Sequence, residues 1–457
     1  MNTSPRVVAR IADEFLADIR SGTLPSGARL PSVRQLARDR AVSPFSAAGI
    51  YDALVAAGAV EAHAGLGYFV ARRRGARAAQ PDAVVHEVRA DSVWERRRDA
   101  QGRPVKVDAG CGWLPRDWQY ADGVRAGWRA VARQNPLGME GYGDAFGLAE
   151  LRSHLTTLLE ARGLLARPDQ IVLTQGASQA LDLVIRTCLQ PGDVAIVEDP
   201  AYPALFELLR ARGAKILAIP RTESGPDVDA LARLLKRRRA RCLFTNTTCQ
   251  NPTGTTTSPA VAHRLLELAA SNDVTLVEDD IFADLAPQAT TTLAGLGELR
   301  NVIYISSFSK TIAPSLRAGF LVAPPALARE LARAKVMTSL GSSELLERVV
   351  LQILTHGHYR RHVKGLREKL ASAHARVARE FEARGVELAF HTQAGLFVWA
   401  KLPSRDSVSK LWRRALSQDV LLAPGELFRP DSRATEYWRF NVAQCDSPEL
   451  MRFLEGL

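Results

Sequence analysis

The feature that most constrains the fold is the alternation of strand-like and helix-like segments after residue 107. Short apolar runs are separated by amphipathic stretches that suit helices, among them 178–190, 203–212 and 258–271. Short buried strands that alternate with helices predict an α/β fold, with a mainly parallel sheet covered on both faces. The strand-like runs are IVLTQ, VAIVED, AKILAIP, RCLFTN, VTLVEDD, NVIYISSFS and RAGFLVAP.

The first seventy residues are organised differently. Apolar residues from Val7 to Ile19 repeat at helical spacing, which predicts a first helix. Ser32 and Ser43 are placed to cap two further helices, and two short strands follow around a turn at 65–67. Helix, turn, helix and β-ribbon predict a winged helix-turn-helix, whose recognition helix fits the major groove of DNA while the wing touches the backbone.

The segment between these two parts is polar and rich in arginine. Its periodicity fades, so we predict an interdomain linker over residues 73–106, with a short helical piece at 91–99. The predicted domains are therefore 1–72 and 107–457, the second with a smaller C-terminal lobe whose strands lie near 395–400 and 437–442. The linker arginines could attract phosphate groups or could only keep the linker solvated.

Charge and cysteine content narrow the partners and the compartment. The net charge is +11, and residues 1–106 carry 17 Lys and Arg against 11 Asp and Glu. This basic quarter suits a polyanionic partner, and it equally suits a soluble basic face. The N-terminus lacks the apolar region of a signal peptide, and no segment reaches the ~18 apolar residues of a membrane span. Five cysteines without a C-x-x-C pair favour free thiols in a reducing cytoplasm over a disulfide or zinc framework.

Functional side chains follow the predicted strands at their carboxyl ends, where open α/β sheets place ligands. Gly176, Ala177 and Ser178 open a helix directly after a strand, so their backbone N–H groups and one hydroxyl would face an anion. Tyr202 follows another strand and is available to stack on a planar ring. Further polar side chains end the later strands or follow them: Asn251, Asp279, Ser307, Lys310 and Arg317.

Lys310 is the member of this set that most needs explaining. It lies in YISSFSKTIAPSLRAGF, and a lysine in apolar surroundings is costly unless its charge is removed or used. Pyridoxal 5'-phosphate would use it, because Lys310 can form an imine with the aldehyde. Asp279 would then pair with the pyridinium nitrogen and keep it protonated, and Asn251 would donate to the phenolate oxygen.

The same ligand accounts for the other members. Ser307, Arg317 and the turn at 176–178 would hold the phosphate dianion, with Arg317 donating two N–H groups at once. Tyr202 would cover one face of the ring. No residue of the set is assigned to a metal.

Residues 5–71 resemble the GntR family of bacterial repressors and activators, along the stretch GTLPSGARLPSVRQLARDRAVSPFSAAGIYDALVAAGAVEAHAGLGYFV. The resemblance implies that four residues contact double-stranded promoter DNA, namely Arg34, Ser43, Ser46 and Gly67.

The recognition helix departs from the pattern of that family. Pro44 and Phe45 stand where such families often place Arg and Asn, and Gly49 lies inside the helix at a cost of about 1 kcal/mol against Ala. Fewer polar side chains are therefore expected to face the groove.

Residues 107–457 resemble the fold-type I aminotransferases of class I/II. The resemblance implies that Tyr142, in MEGYGDAFGLAELR, reaches the phosphate in the neighbouring subunit of a homodimer. It also implies that Arg439, in YWRFNVA, grips a substrate α-carboxylate. A GntR-like head on such a body resembles the MocR subfamily, bacterial transcription regulators that bind pyridoxal phosphate.

One position differs from the aminotransferase pattern. The family often has a tyrosine just after the acidic pair, but residues 278–282 read EDDIF and carry no hydroxyl there. Loss of that donor is expected to raise the pKa of the internal imine, which disfavours efficient turnover.

Three hypotheses follow for the whole chain. The first is a cytoplasmic transcription regulator that senses pyridoxal phosphate or an amino compound through an aldimine at Lys310. The second is a working aminotransferase with an added DNA-binding head, in which Lys310 serves as general base. The third, a scaffold with a vestigial pocket, fits poorly because nearly every cofactor contact is present. Head and body together favour the first.

Overall fold

The computed structural model describes residues 5–56, 58–63, 67–71, 105–134, 141–288, 290, 292–355 and 357–457. The chain divides into two compact units, Met1–Glu87 and Val88–Leu457. The predicted linker lies almost entirely outside the described residues, together with its helical piece.

The N-terminal unit contains three helices and a hairpin within its described residues. Its elements are α1 (Pro5–Ser21), α2 (Val33–Asp39), α3 (Pro44–Ala56), β1 (Val60–His63) and β2 (Gly67–Val70). The strands pair antiparallel, from Val60 opposite Val70 to His63 opposite Gly67. This is the winged helix-turn-helix that the sequence predicts.

Side-chain caps explain why the second and third helices begin where they do. Ser32 Oγ accepts the backbone N–H of Gln35 at 3.2 Å, and Ser43 Oγ accepts that of Ser46 at 3.1 Å. Each cap satisfies a backbone donor that the first helical turn leaves unpaired. Both predicted helix starts are confirmed.

The second unit is built on an eight-stranded sheet, counted over the described residues, in the order β3–β10–β9–β8–β7–β4–β5–β6. Neighbours from β9 to β5 pair parallel, whereas β10 runs antiparallel to both β3 and β9. The mainly parallel sheet is as predicted. The strands are β3 (Ile171–Thr174), β4 (Val194–Asp199), β5 (Lys215–Thr222), β6 (Gly225–Pro226), β7 (Cys242–Thr245), β8 (Thr275–Asp279), β9 (Val302–Ser307) and β10 (Gly319–Val322).

Helices cover both faces of this sheet. Successive residues of β3 point to opposite sides: Ile171 and Leu173 pack in one apolar cluster and Val172 in another. The helices of the unit are α4 (Ala121–Ala132), α5 (Ala149–Glu160), α6 (Ala177–Cys188), α7 (Pro203–Ala211), α8 (Val228–Leu235), α9 (Pro259–Ser271), α10 (Leu293–Leu296), α11 (Pro325–Ser339), α12 (Glu344–Thr355), α13 (His358–Glu382), α14 (Val408–Ser417) and α15 (Pro448–Glu455).

A smaller antiparallel sheet forms the C-terminal lobe, in the order β11–β12–β14–β13. The segment that begins near Val107 packs along this lobe, since the N–H of Asn441 donates to Ala109 O at 2.7 Å. The two predicted strands are confirmed as β12 and β14. The strands are β11 (Glu387–Leu388), β12 (Phe397–Lys401), β13 (Ala423–Pro424) and β14 (Tyr437–Asn441). Over the described part of the chain, a search for a helix of membrane-spanning length and hydropathy finds none.

Candidate functional site

The functional residues meet because the parallel strands end at one edge of the large sheet. β7 and β8 run side by side; Asn251 follows the end of β7, and Asp279 is the last residue of β8. The chain then reverses between β9 and β10, where Gly319 lies opposite Ser307. This connection of eleven residues holds both Lys310 and Arg317, so the reversal carries the amine and the guanidinium to the same edge.

Lys310 ends a short 3-10 turn, which Ser307 starts by accepting the N–H of Ser309 at 3.2 Å. The lysine Nζ donates to Gly112 O at 2.6 Å. Burial, followed by the positive charge of Arg439, lowers the pKa of Lys310 to about 8, against the opposing effect of Cys111 and Asp279. A much larger fraction of this amine is therefore neutral near pH 7 than for an exposed lysine, which makes it a nucleophile.

Asp279 ends β8 with one carboxylate oxygen unsatisfied. Its Oδ1 is buried and has no hydrogen-bond partner among the described residues. Burial and the neighbouring Asp280 raise the pKa of Asp279 to about 7, although Lys310 acts in the opposite direction. A buried acceptor without a partner is costly, and a ligand N–H cation would satisfy it. Asp279 therefore fits the predicted partner of a pyridinium nitrogen.

Asn246 is a positioning residue that the sequence reasoning did not find. Its Nδ2 donates to the backbone oxygen of Asp279 at 2.6 Å, and its Oδ1 accepts the N–H of Asn251 at 2.8 Å. Asn246 thus fixes the backbone at both Asn251 and Asp279. The available signal was its place directly after the strand residue Thr245.

Arg439 lies on β14, buried between aromatic rings. Its guanidinium carbon lies 4.5 Å from the centre of the Phe397 ring and 4.7 Å from that of Phe428. Nη1 donates to Asn251 Oδ1 at 2.8 Å, and Nη2 donates to Gly110 O. The oxygen of Asn251 is thus engaged, so its amide can address a ligand only through the NH2 group.

The donor capacity of Arg439 is not exhausted by these bonds. Its Nε is buried and has no acceptor among the described residues, and burial lowers its pKa to about 10. It stays charged at neutral pH. Beside it, a cavity of about 130 Å³ is lined by apolar and acidic side chains, including Trp113, Leu427 and Asp108. A buried arginine with a free donor next to a cavity suits a carboxylate ligand.

The turn at 176–178, predicted to bind an anion, lies beside Arg317. Gly176 caps α6 at a φ of 82°, and a Cβ there would lie 2.8 Å from Arg317 Nη2. Arg317 donates to Gln175 O at 3.0 Å. The guanidinium therefore lies at the N-terminus of α6, where the helix dipole and the free N–H groups already favour negative charge.

Ser307, Ser178 and Tyr202 have contacts within the chain. Ser307 is 7% exposed, and its hydroxyl lies 3.0 Å from Ala318 O, inside the loop that carries Lys310. Burial raises the pKa of Tyr202, and a hydrogen bond with Ser178 opposes this. Tyr202 lines the same cavity as Arg439. The roles of these three side chains toward a cofactor stay predictions.

Phe282 occupies the position that lacks the expected tyrosine. It is 1% exposed, packs edge-on against Phe397, and its ring centre lies 5.9 Å from Lys310 Nζ. The surroundings of the amine at this position are thus hydrocarbon, in agreement with the sequence.

A buried polar network, which the sequence pattern does not indicate, connects the two strand ends behind Lys310 and Asp279. Arg162 donates to Tyr304 Oη at 2.8 Å and to Asp284 Oδ1 at 2.6 Å. Tyr304 donates to Asp280 at 3.0 Å. Tyr359 donates to Asp284 Oδ2 at 2.6 Å, and its hydroxyl lies 2.8 Å from that of Thr311. Asp280 and Thr311 directly follow Asp279 and Lys310 in the chain.

Tyr142 is 77% exposed in the single chain. Its predicted contact with a neighbouring subunit, and the homodimer that contact requires, stay predictions.

The predicted DNA contacts all lie within the described part of the N-terminal unit. Arg34 is exposed on α2, and Gly67 begins β2 at a φ of 105° with the Arg29 guanidinium nearby. The hydroxyls of Ser43 and Ser46 lie 2.9 Å apart, and Ser46 is only 7% exposed. Ser46 therefore serves the helix cap, while its contact with DNA stays a prediction.

Comparison with known proteins identifies a family for each of the two units. Residues 119–457 match the family of class I and II aminotransferases, and residues 7–70 match the gntR family of bacterial regulatory proteins. The chain belongs to the class I and II aminotransferase family, with a GntR domain at its N-terminus. The sequence resemblances to both families are confirmed, including the architecture of the MocR regulators.

Relatives of this aminotransferase–GntR architecture extend over nearly the whole chain. The HTH-type transcriptional regulator YdcR of Escherichia coli is 28% identical over 95% of this chain and 94% of its own. The probable rhizopine catabolism regulatory protein MocR of Rhizobium meliloti is 28% identical over 91% of this chain and 85% of its own.

Other relatives match the aminotransferase domain alone. The 2-aminoadipate transaminase of Thermus thermophilus is 33% identical over 67% of this chain and 77% of its own. The crystal structure of LysN, an α-aminoadipate aminotransferase of Thermus thermophilus in complex with N-(5'-phosphopyridoxyl)-L-leucine, superposes with a TM-score of 0.71 at 27% identity. The superposed residues cover 76% of this chain and 90% of the LysN chain.

Proposed function

We propose that this chain is a bacterial transcription regulator that binds promoter DNA through its GntR domain and uses pyridoxal 5'-phosphate in its aminotransferase domain. It senses the cofactor itself, or an amino compound that reaches it, through an imine at Lys310. One observation supports this most: a buried amine with a lowered pKa shares a sheet edge with a carboxylate oxygen that has no hydrogen-bond partner among the residues the structure describes. Both lie in a chain whose other domain is of the GntR type.

The cofactor fits the residues present. Lys310 would hold its aldehyde carbon, Asp279 its ring nitrogen and the NH2 group of Asn251 its phenolate oxygen. The N-terminus of α6 and Arg317 would hold its phosphate, and Tyr202 would cover the ring. When bound, the cofactor supplies an electron sink and an electrophilic carbon for amines. The protein contributes a neutral amine, a fixed carboxylate and a cradle of N–H donors.

The effector class follows from Arg439. Its Nε, which has no acceptor within the described part of the chain, its retained charge and the adjacent cavity support an amino compound that carries a carboxylate. Effector binding would change DNA binding only if the two states of the protein bind the effector with different affinity. The proposal includes a homodimer in the bacterial cytoplasm, with Tyr142 of each subunit directed to the other subunit's phosphate site.

Borohydride trapping tests the cofactor part. The wild-type protein incubated with pyridoxal phosphate should retain cofactor covalently after reduction, and Lys310→Ala should retain none while its DNA binding changes. Lys335→Gln is the matched control, because Lys335 is also buried with a pKa lowered to about 8 but bonds to Leu173 O. Trapping in Lys310→Ala together with unaltered DNA binding would refute the proposal.

A pair of probes tests the effector part. An amino acid and the amine obtained from it by decarboxylation should differ in affinity for the wild-type holo-protein. Arg439→Lys should weaken binding of the amino acid by about tenfold and leave the affinity for the amine unchanged, since a bidentate guanidinium contact is worth roughly 1.5–3 kcal/mol. Titrations followed by cofactor absorbance measure both affinities. An equal loss for both probes would contradict a carboxylate role for Arg439.

A working aminotransferase is the second candidate, because Lys310, Asp279 and Arg439 are all retained. The hydrocarbon surroundings that Phe282 provides argue against efficient turnover. Incubation with amino acids and 2-oxo acids separates the two functions. We expect no multiple turnover, and sustained formation of keto acid would favour the enzyme.

A further inference from the structure

The outward face of the recognition helix α3 has an unusual composition. Phe45, in its first turn, is 87% exposed, the highest exposure of any large apolar side chain described in the N-terminal unit. The residues at helical spacing from it are Ala48, Gly49 and Asp52. The opposite face packs into the core through Ala47, Ile50, Tyr51 and Leu54, each 0% exposed.

This face carries no hydrogen-bond donor in a side chain. Bases are commonly read by donors, such as Arg or Lys to guanine and Asn or Gln to adenine. Asp52 is the one polar side chain among the four, and a carboxylate can only accept. Ala48 is small enough to allow close approach to the groove, whereas a Cβ at Gly49 would lie 3.9 Å from Val8 Cγ1 of α1. Asp52 can accept from the amino group of cytosine, and the exposed ring of Phe45 can make apolar contact; the apolar group in the major groove is the 5-methyl of thymine.

Cations lie on the neighbouring elements and point to DNA rather than a second protein as the occupant. Arg34 and Arg38 are exposed on α2, and Arg29 lies beside Gly67 at the start of the wing. Basic side chains around an apolar helix face suit phosphates on either side of a groove. An apolar protein contact would not require them.

Given the proposed binding to promoter DNA, we infer that Phe45 reads thymine through its 5-methyl group in the major groove. Phe45 is then a specificity-determining residue of α3 for thymine, and the exposed arginines fix the position of the helix without reading sequence. An exposed phenyl ring on this surface finds its apolar partner only when DNA is bound.

Removal of single methyl groups from DNA tests the inference. The full-length protein loaded with pyridoxal phosphate is used to select duplexes from a random library. Each thymine of the selected site is then replaced by uracil, which removes only the methyl group, and affinities are measured by fluorescence anisotropy at fixed salt. At one or two thymines per half-site, wild-type affinity should fall about fourfold, the value of one buried methylene-sized group.

Phe45→Ala should bind the thymine site more weakly and lose the uracil effect at those positions. Val55→Ala is the control, because Val55 is 39% exposed near the other end of the same helix and should keep the uracil effect. Arg34→Ala should weaken all sequences alike and also keep it. Thermal melting verifies that Phe45→Ala is folded.

Four results would overturn the inference. If uracil is neutral at every position of a selected site, or if Phe45→Ala retains the wild-type uracil penalty, DNA binding stands and the role of Phe45 does not. If Phe45→Ala changes the oligomeric state without changing the uracil effect, the ring belongs to a protein contact. Absence of any selected sequence would refute DNA recognition itself, and the inference with it.

Discussion

Two buried lysines show how a residue acquires its role from its surroundings. Lys310 and Lys335 each have a pKa lowered to about 8, mainly by burial. The amine of Lys335 donates to Leu173 O at 2.9 Å and has Glu347 as a nearby compensating charge. Lys310 instead lies near Arg439, whose charge further disfavours its protonation. Since the two amines share a pKa of about 8, a lowered pKa alone does not identify the site.

The lowered pKa of Lys310 gives a pH prediction. Cofactor attachment requires the neutral amine, so its rate in the apo-protein should rise with pH and level off above about pH 8. In Arg439→Gln the loss of a neighbouring cation should raise the pKa of Lys310 and move the midpoint to higher pH. Stopped-flow absorbance after addition of pyridoxal phosphate measures the rate.

The control for this experiment is Arg300→Gln, because Arg300 is 80% exposed in a surface ion pair. It should leave the midpoint in place. A midpoint near the ordinary lysine value in the wild-type protein would contradict the assigned environment of Lys310.

At the scale of elements, the carboxyl edge of the sheet is held by contacts between distant segments. Arg162 follows α5, Asp284 lies in a 3-10 turn after β8, and Tyr359 belongs to α13. Their hydrogen bonds connect these segments behind the residues that would hold the cofactor. The network therefore supports both the strand end at Asp279 and the loop at Lys310.

Asp284→Asn tests the network. It leaves the mostly buried Arg162 without its carboxylate, which should reduce the free energy of unfolding by roughly 3–5 kcal/mol. Tyr359→Phe removes the hydrogen bonds of the hydroxyl with Asp284 and with Thr311, and should reduce the free energy of unfolding by about 1–2 kcal/mol. Asp169→Asn is the exposed counterpart, paired with Arg167, and should cost under about 1 kcal/mol. Urea unfolding of the apo-proteins measures all three.

The stability that Asp284 contributes depends on pH. Burial alone would raise the pKa of Asp284, but the charge of Arg162 and two hydrogen bonds outweigh it and lower the pKa. The stabilisation is therefore present above the ordinary aspartate pKa and is lost as the pH falls through the lowered value. Asp284→Asn should lack this acid-side loss. An acid branch unchanged by the substitution would contradict the assignment.

On the scale of the whole molecule, each unit has its own apolar core. Ile11, Phe15 and Leu36 belong to a cluster confined to the N-terminal unit, and the clusters of the second unit contain none of its residues. Separate cores are what independent folding requires.

Because the two cores are separate, each unit is expected to fold as an isolated fragment. A fragment of residues 105–457 should fold and trap pyridoxal phosphate under borohydride as the full chain does, because every proposed cofactor contact lies within it. A fragment of residues 1–72 should melt cooperatively but bind DNA more weakly, since it lacks the proposed dimer of the second unit. Calorimetry and mass spectrometry of both fragments check this. Failure of the larger fragment to retain cofactor would show that the head contributes to the site.

Features that depend on neighbours along the chain could be predicted from the sequence. Ser32 and Ser43 cap the helices that directly follow them, and the short apolar runs of β3 and β9 are typical of buried strands. The residues that follow strands could be placed at one edge because parallel strands share a direction. Matching motifs then gave the family.

Contacts between residues far apart in the chain could not be predicted in this way. Lys310 and Gly112 are 198 positions apart, and Arg439 and Asn251 are 188 apart. Such pairs depend on strand order and packing, which local periodicity does not encode. The pKa values of Lys310, Asp279 and Arg439 likewise follow from burial among many distant atoms, so the chemistry of each group appears only once the chain has folded around it.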